Sequence, residues 1–448
     1  MSEAGVQDVH IIGAGLAGSE AAFFLAERGI TVTIHEMRPQ TMTPAHSTGD
    51  CAELVCSNSF KSTNPNSAHG MLKTEMNEMG SLVLKTAPSV AVPAGDALAV
   101  DRKLFSEKIT QALHTHPNIS FFHEEASKPR RDKITLVATG PLTSPALAEW
   151  LAKITGNEDL YFYDAIAPIV EASSVDPLYS FSANRYDKGD EAAYLNCPMN
   201  KEQYEEFIDT LLTARCVPPR AFEKEKFYAG CQPIEAIAQT GRESLRFGPM
   251  KPVGLADPRT GERPHAVLQL RTENRSKTAF NLVGFQTKLT YGEQSRVFRR
   301  IPALRNAEFL RFGSIHRNTY VCGPRVLRPD LSVKGEPTVY LGGQITGVEG
   351  YLESAACGML AAHFIYQRIR EQPHDAPPAD TTLGALLRHV TGAEEKNYQP
   401  SGMHFGLLDP LFFPDVTGLP KDVSRQKMAD HARISFAKWW ERMRARGD

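Results

Sequence analysis

The stretch Val9-His10-Ile11-Ile12-Gly13-Ala14-Gly15-Leu16-Ala17-Gly18 constrains the chain more than any other. A short apolar run enters three glycines at G-x-G-x-x-G spacing, and small and apolar residues follow at helical spacing toward Gly29. In such a turn Gly13 makes the tight bend, Gly15 lets the backbone approach a pyrophosphate, and Gly18 lets the helix sit close on its strand. The free N–H groups of the helix start, from Leu16 and Ala17 on, then face phosphate. Context strengthens the pattern. Thr31 to His35 is β-branched and alternating, so it predicts a second strand. Glu36 closes that strand about 20 residues after the glycines, where a carboxylate takes the ribose hydroxyls of an adenosine. The alternative is an ordinary βαβ unit with a glycine-rich turn.

A second stretch repeats the logic far along the chain. Thr338 to Leu341 predicts a strand, Gly342-Gly343-Gln344-Ile345-Thr346-Gly347-Val348-Glu349-Gly350-Tyr351 follows, and Leu352 to Ala362 predicts a small-faced helix. Two phosphate cradles so far apart imply one large cofactor touched by both ends of the chain, and FAD suits this better than NAD. The strand Ile134 to Val137 continues into Ala138-Thr139-Gly140, which suits a strand returning to the dinucleotide with Gly140 leaving room for it.

The remaining chain predicts a helix from His69 to Leu84, another from Asp101 to His114 with Asp101 as its cap, and a strand from Ile119 to Phe122. Residues 161–318 hold no second fingerprint and are mixed in pattern, with strands such as Ile166 to Glu171 and helices such as Lys201 to Ala214. The fold class expected is α/β: a Rossmann-like FAD-binding domain interrupted by a mixed α/β insertion domain. The division expected is 1–160 and 319–448 for the FAD-binding domain, the latter ending in a helical tail, and 161–318 for the insertion.

Composition sets outer limits. A chain of 448 residues with 42% hydrophobic and 23% charged residues suits two or three soluble domains. A formal net charge of −2 means that a nucleic-acid partner must meet a local basic face. No run of about 18 apolar residues predicts a membrane span, and no leader pattern is read at the N-terminus. Seven cysteines without a regular framework suit a reducing compartment, so a cytoplasmic protein is expected. Cys51 and Cys56 lack a second pair at metal spacing, and no metal is expected.

Two cysteines stand out. Cys56 precedes Ser57-Asn58-Ser59, cap and turn formers that predict irregular backbone. It is either a chemical thiol beside the cofactor crevice or a small buried hydrophobe. Cys231 precedes Pro233, which suits the first turn of a helix. A helix start favours thiolate, so Cys231 is either a nucleophile or base, or a passenger beside a capped helix. Gln286 and Lys288 line a ligand pocket or a solvated edge, and Lys288, Arg296, Arg299 and Arg300 bind phosphate or face solvent. The tail from Lys438 to Arg446 mixes cations with Trp439 and Trp440 and either meets RNA by charge and stacking or is a helix with basic residues near its end.

Together these pieces resemble a family. Gly342 to Gly347, Gly350-Tyr351 and Glu353 to Ala356 are similar to a signature shared by two flavin-dependent tRNA-modifying families. Glu53 to Ser59, Gly230 to Glu235 and Val283 to Thr287 resemble the folate- and FAD-dependent tRNA uracil-5 methyltransferases, with Gln232 where Met is expected. The resemblance runs along nearly the whole chain and is weakest in the last thirty or so residues. It implies formation of 5-methyluridine in the T-loop of tRNA, with 5,10-methylenetetrahydrofolate as carbon donor and FAD, reduced by NADH or NADPH, as reductant. It implies FAD contacts at Gly13, Ala14, Gly15, Leu16, Ala17, Gly18, Glu36, Gly140, Gly342, Gly343, Gln344, Gly347, Gly350 and Tyr351. Cys56 and Cys231 would divide the tasks of adding to uracil C6 and removing the C5 proton, the order left open. The tRNA T-arm and the small molecules are the partners expected, with no membrane and no protein partner. The same chemistry on ribosomal RNA, the sister wobble-uridine family, and a flavin-containing RNA-binding protein are the other readings.

Overall fold

A computed structural model describes residues 8–130, 132–155, 160–187, 192–218, 227 and 232–447. Its first sheet has Asp8–Ile12 near the centre. Thr31–His35 and then Ile119–Phe122 pair in parallel on one side, and Ile134–Val137 and then Glu336–Leu341 on the other. The two-residue strand Ser332–Val333 adds an antiparallel edge. The chain therefore leaves Asp8–Ile12 in one direction and returns on its other side. This reversal is the switch point where open parallel sheets bind ligands, beyond the strands' carboxyl ends. Those ends lead into Gly13, Glu36, Ala138-Thr139-Gly140 and Gly342-Gly343.

Helices cover the sheet. Leu16–Ala26 and Tyr351–Ile369 pack together at glycine distance: a Cβ on Gly358 would lie 2.2 Å from the Ala17 oxygen, and one on Gly343 2.6 Å from the Ala17 Cβ. The two glycine stretches thus meet, as expected from their sequence. Buried glutamates tie helix starts to this layer. Glu20 accepts from the N–H groups of Leu82 and Val83 (2.9 and 3.0 Å), and Glu75 from those of Thr382 and Leu383 (both 2.8 Å). Each pair of donors is left over at a helix N-terminus and would otherwise be orphaned.

The helix expected from His69 to Leu84 is two helices, Ala68–Met79 and Leu82–Thr86. Gly80 sits in the left-handed region (φ +90°) and stops the first, and the Ser81 side chain caps the second. The C-terminal helix Lys421–Gly447 packs on Ala68–Met79. Trp439 and Trp440 are buried there, donating to Asp375 Oδ1 (3.0 Å) and the Glu78 oxygen (2.8 Å). Their indoles are core groups, so the reading of the tail as an aromatic stacking surface for RNA is corrected.

The second sheet is antiparallel, in the order Phe181–Ser182, Tyr194–Met199, Ala266–Thr272, Ala279–Leu282, Ile169–Glu171, Phe309–Arg311. One face carries Cys197, Leu268, Leu270 and Leu282 into a core shared with the helix Lys201–Leu212. The other face carries Asn196, Gln269, Arg271 and Asn281, also buried. The antiparallel pair Leu160–Ala165 and Ile315–Tyr320 connects the two sheets, and the expected boundaries at 160/161 and 318/319 fall inside it. A third sheet of Ser59–Ser62, Ala97–Val100 and Ala91–Val92 lies in sequence between the strands Thr31–His35 and Ile119–Phe122 of the first. Among the described residues no helix is long and apolar enough to cross a membrane.

Candidate active site

A cleft of about 990 Å3, its mouth included, runs along the carboxyl ends of the parallel strands. Gly13, Gly15, Leu16, Ala17, Glu36, Gly140, Gln344 and Tyr351 line it. The glycines divide by what a side chain would meet. A Cβ on Gly18 would lie 1.9 Å from the Gly13 oxygen, and one on Gly347 2.1 Å from the Tyr398 hydroxyl, so both are demanded by packing. Gly342 packs against Leu136 and Gly358, and Gly350 would press a Cβ onto the Glu353 carboxylate. Gly15 is different. Its φ of −69° suits any residue and nothing lies within 4 Å of its Cβ position. Open space at the first turn of a helix, where N–H groups point outward, fits the pyrophosphate of a dinucleotide.

Glu36 stands at the end of its strand, buried and already engaged. It accepts from the Ala14 N–H (2.8 Å) and from Arg38 Nε (3.0 Å) and Nη2 (3.2 Å). Burial opposes its charge, but those bonds and the Arg38 guanidinium hold its carboxyl below the usual range. The cleft extends past it to Glu124 and Ala126.

At its other end the cleft opens into a chamber of about 1120 Å3, with Val55, Pro141, Leu142, Gln344 and Tyr351 lining both. Cys56 lines this chamber and also a third, of about 1590 Å3, against the antiparallel sheet. The loop carrying Cys56 is pinned from three directions. The N–H groups of Cys56 and Ser57 donate to the Tyr351 hydroxyl (2.7 and 3.0 Å). Arg102 donates to the carbonyls of Leu54 (2.7 Å) and Cys56 (3.1 Å) while paired with Glu273. Asn58 donates to Val100 and Thr272, both at 3.0 Å, joining the third sheet to the second. The thiol itself lies 4.0 Å from the Ala165 carbonyl oxygen and keeps partial exposure. By contrast Cys51, Cys197 and Cys357 are buried, and burial pushes their thiols up, that of Cys51 to about 12.

Cys231 lies outside the described residues. The chain resumes at Gln232, and Pro233 is the N-cap of the six-residue helix Ile234–Gln239 rather than part of its first turn. The Ile234 N–H donates to the carbonyl of Gln286 (2.8 Å), whose residue lines the third chamber. Lys288 is buried with its ammonium 5.5 Å from the Phe227 ring centroid. Arg296 and Arg300 pair with Glu293 and Glu206, and Arg299 donates to the Ala307 oxygen (2.9 Å).

Sequence reasoning passed over several groups. Glu349 sits between two glycines of the second cradle, within a stretch already singled out. Its Oε2 accepts from Gln344 Nε2 (2.7 Å), and burial together with Asp164 raises its carboxyl well above the usual range. Burial and the charge of Arg311 push the His316 imidazole below its ordinary value. An acidic residue inside a glycine turn was the available signal for Glu349; His316 and Arg102 had none. Among the described residues no cluster of three or more His, Cys, Asp or Glu is placed to hold a metal.

Residues 8–373 match the family model described as glucose inhibited division protein A. A methylenetetrahydrofolate–tRNA-(uracil-5-)-methyltransferase TrmFO of Geobacter sulfurreducens is 51% identical over 432 residues, covering 96% of this chain and 98% of the relative. A protein of the same name from Moorella thermoacetica is 52% identical over 403 residues, covering 90% of this chain and 92% of its own. The chain belongs to the TrmFO family. The solved structure of Aquifex aeolicus GidA shares the fold, with a TM-score of 0.66 at 15% identity over 98% of this chain and 76% of that one. The match to the first of these relatives covers nearly all of this TrmFO-family chain.

Proposed function

We propose that the chain methylates C5 of uridine in the T-loop of tRNA, giving 5-methyluridine. 5,10-Methylenetetrahydrofolate is the carbon donor, FAD the bound cofactor and NADH or NADPH the reductant, in the cytoplasm where tRNA is processed. The observation that carries the reading is the position of Cys56, on the wall shared by the third chamber and the chamber into which a dinucleotide-shaped cleft opens. Half-identity to the named methyltransferases along nearly the whole chain supports it. The division 1–160, 161–318 and 319–448 is part of the same proposal, with the cleft built by the outer two segments and the third chamber walled by the inserted one.

Roles follow from chemistry. Gly15 and the start of the helix Leu16–Ala26 hold the pyrophosphate of FAD, Glu36 faces its adenosine ribose, and Gly140, Gln344 and Tyr351 border the far end. Reduced FAD supplies the electrons that turn a methylene into a methyl. Uracil C5 is a poor nucleophile until a thiolate adds at C6, and a base must afterwards remove the C5 proton. Cys56 and Cys231 supply these two functions. Tyr351 and Arg102 hold the Cys56 loop by its backbone, leaving the thiol to the chambers. Glu349, its carboxyl raised well above the usual range by burial, lines the chamber next to the cleft.

The test is incubation of the protein with unmodified tRNA transcript, labelled methylenetetrahydrofolate and NADPH, followed by nucleoside analysis. Labelled 5-methyluridine in the T-loop is expected. Label at the wobble position, label in ribosomal RNA alone, or binding without methylation would replace this reading with one of its alternatives.

A further inference from the structure

The third chamber is walled by a surface to which the reaction above gives no role. The front face of the antiparallel sheet carries Asn196, Gln269, Arg271 and Asn281, exposed by only 0%, 8%, 7% and 4%. Buried polar groups are ordinarily paired. Gln269 is: it accepts from Arg185 and donates to Asn196 Oδ1, both at 2.9 Å, and Asn196 donates to the Ala183 oxygen at 2.9 Å. Among the described residues, Arg271 Nε and Asn281 Nδ2 are buried with no hydrogen-bond partner. They stand directly opposite each other in the ladder.

Arg311 extends their row. Asn281 faces Ile169, and Ile169 faces Arg311. A register shift between Phe309 and Arg311 leaves Phe309 opposite Val170, packed on the apolar core, and turns Arg311 to the polar face. Bulges of this kind re-aim side chains and gather beside active sites. Arg311 Nε and Nη2 are likewise buried without a partner. Arg102, beside it, is neutralised by Glu273. The row also adjoins the reactive loop, since Arg271 Nη2 donates to Ser57 Oγ at 3.0 Å and Arg271 and Asn281 line the chamber with Cys56. Unpaired donors in one buried row await a ligand edge rich in acceptors.

We propose that the row Arg271–Asn281–Arg311 is the recognition surface for the target uracil, its N–H donors taking the ring's carbonyl oxygens. The inference rests on the reaction proposed above. Uracil has two carbonyl oxygens flanking one N–H, whereas cytosine sets an amino group where O4 would be, donor against donor, and is repelled. The row serves the chemistry as well. As the S–C6 bond forms, the C5–C6 π pair shifts to give an enolate with its charge on O4, and a buried guanidinium stabilises that charge.

Asn281→Leu removes the amide, Asn281→Asp keeps its shape but supplies only acceptors, and Arg271→Lys keeps the charge. Each variant is assayed for FAD content, tRNA affinity and kcat/KM with unmodified transcript. Loss of about 10- to 100-fold in kcat/KM is expected for both Asn281 variants, the size of one lost base contact. FAD content and tRNA affinity should hold, because phosphate contacts dominate RNA binding. Equilibrium dialysis with UMP and CMP should show UMP preferred by the unaltered protein and the preference lost in Asn281→Leu. Unchanged kcat/KM in both Asn281 variants, or loss of FAD in step with activity, overturns the inference and leaves the reaction standing. If the unaltered protein makes no 5-methyluridine the reaction falls, and UMP and CMP then decide the row: equal binding of the two removes it.

Discussion

The two large sheets offer ligands different kinds of surface. The parallel sheet works at its strand ends, where Gly13, Gly15 and Gly140 present backbone to the cleft. The antiparallel sheet works on its face, with side chains: Arg271, Asn281 and their neighbours stand in a buried polar row. Cys56 lies where the two meet, on a loop fastened to one by Tyr351 and to the other by Asn58. A backbone site recognises what all dinucleotides share. A face site, built of groups that differ in donors and acceptors, is suited to choosing one base from another. In the reaction proposed, one chain keeps its cofactor and its substrate on separate supports, with the Cys56 thiol at their border.

The largest expected effect is at the border itself. Cys56→Ala should lower methylation on the order of a thousandfold or more while FAD absorbance persists, because a group acting in the transition state is lost and the cleft is untouched. RNA carrying 5-fluorouridine at the target should trap a covalent complex on a denaturing gel, since fluorine does not leave as a proton does, and removing the adding cysteine should abolish it. Near-normal methylation by both Cys56→Ala and Cys231→Ala would make both thiols structural and dissolve the border between the two regions.

Next comes a contrast inside the parallel half. Gly15→Leu should give folded, colourless protein, because its side chain enters open space where the pyrophosphate belongs. Gly18→Val should instead fail to fold, since its Cβ would meet the Gly13 oxygen at 1.9 Å. Circular dichroism with flavin release on denaturation separates the two outcomes. Yellow Gly15→Leu protein would mean that the cleft is not read through backbone.

A smaller effect sharpens the comparison through pH. Burial raises Glu20 and Glu75, both in the parallel half, from 4.5 to about 7. The unfolded chain therefore gives up these protons before the folded chain does. Their contribution is fully present below pH 4.5 and declines as pH rises to about 7, by on the order of 3 kcal/mol each at most. Urea midpoints across that range should fall more steeply in the parent than in Glu20→Gln. An equal slope in both would show that the Leu82 and Val83 N–H groups keep Glu20 ionised throughout.

The smallest effect is expected on the outer side of the insertion. Affinity for tRNA should fall with salt, as phosphate contacts require. Arg296→Ala and Arg300→Ala should each change it by about threefold or less, because both cations are already paired with carboxylates on the surface. Filter binding at two salt concentrations measures this. A large loss in either variant would place the RNA on the surface around Arg296 and Arg300 rather than on the chamber side of the sheet.

What the sequence determined by itself is what depends on neighbours in the chain. The glycine spacing, the strands Thr31–His35, Ile119–Phe122 and Ile134–Val137, the cap at Asp101 and the irregular backbone around Cys56 were all legible, because each rests on the conformational limits of a few adjacent residues. The encounter of the two glycine stretches was legible too, since both ask for the same pyrophosphate-sized space. The helix drawn through Gly80 failed because a left-handed stop needs only one residue and leaves the apolar spacing intact. Only the tertiary structure decided the rest. The indoles of Trp439 and Trp440 turned inward because the helix Ala68–Met79 offers packing and the Glu78 oxygen, and Asp375 offers the second acceptor. Arg102, Arg271, Asn281 and Arg311 look like ordinary strand and helix residues in the chain. The meeting of Arg271, Asn281 and Arg311 depends on strand register and on one bulge, quantities set by pairing between segments far apart, where a slip of a single residue in a strand would send its side chain to the opposite face.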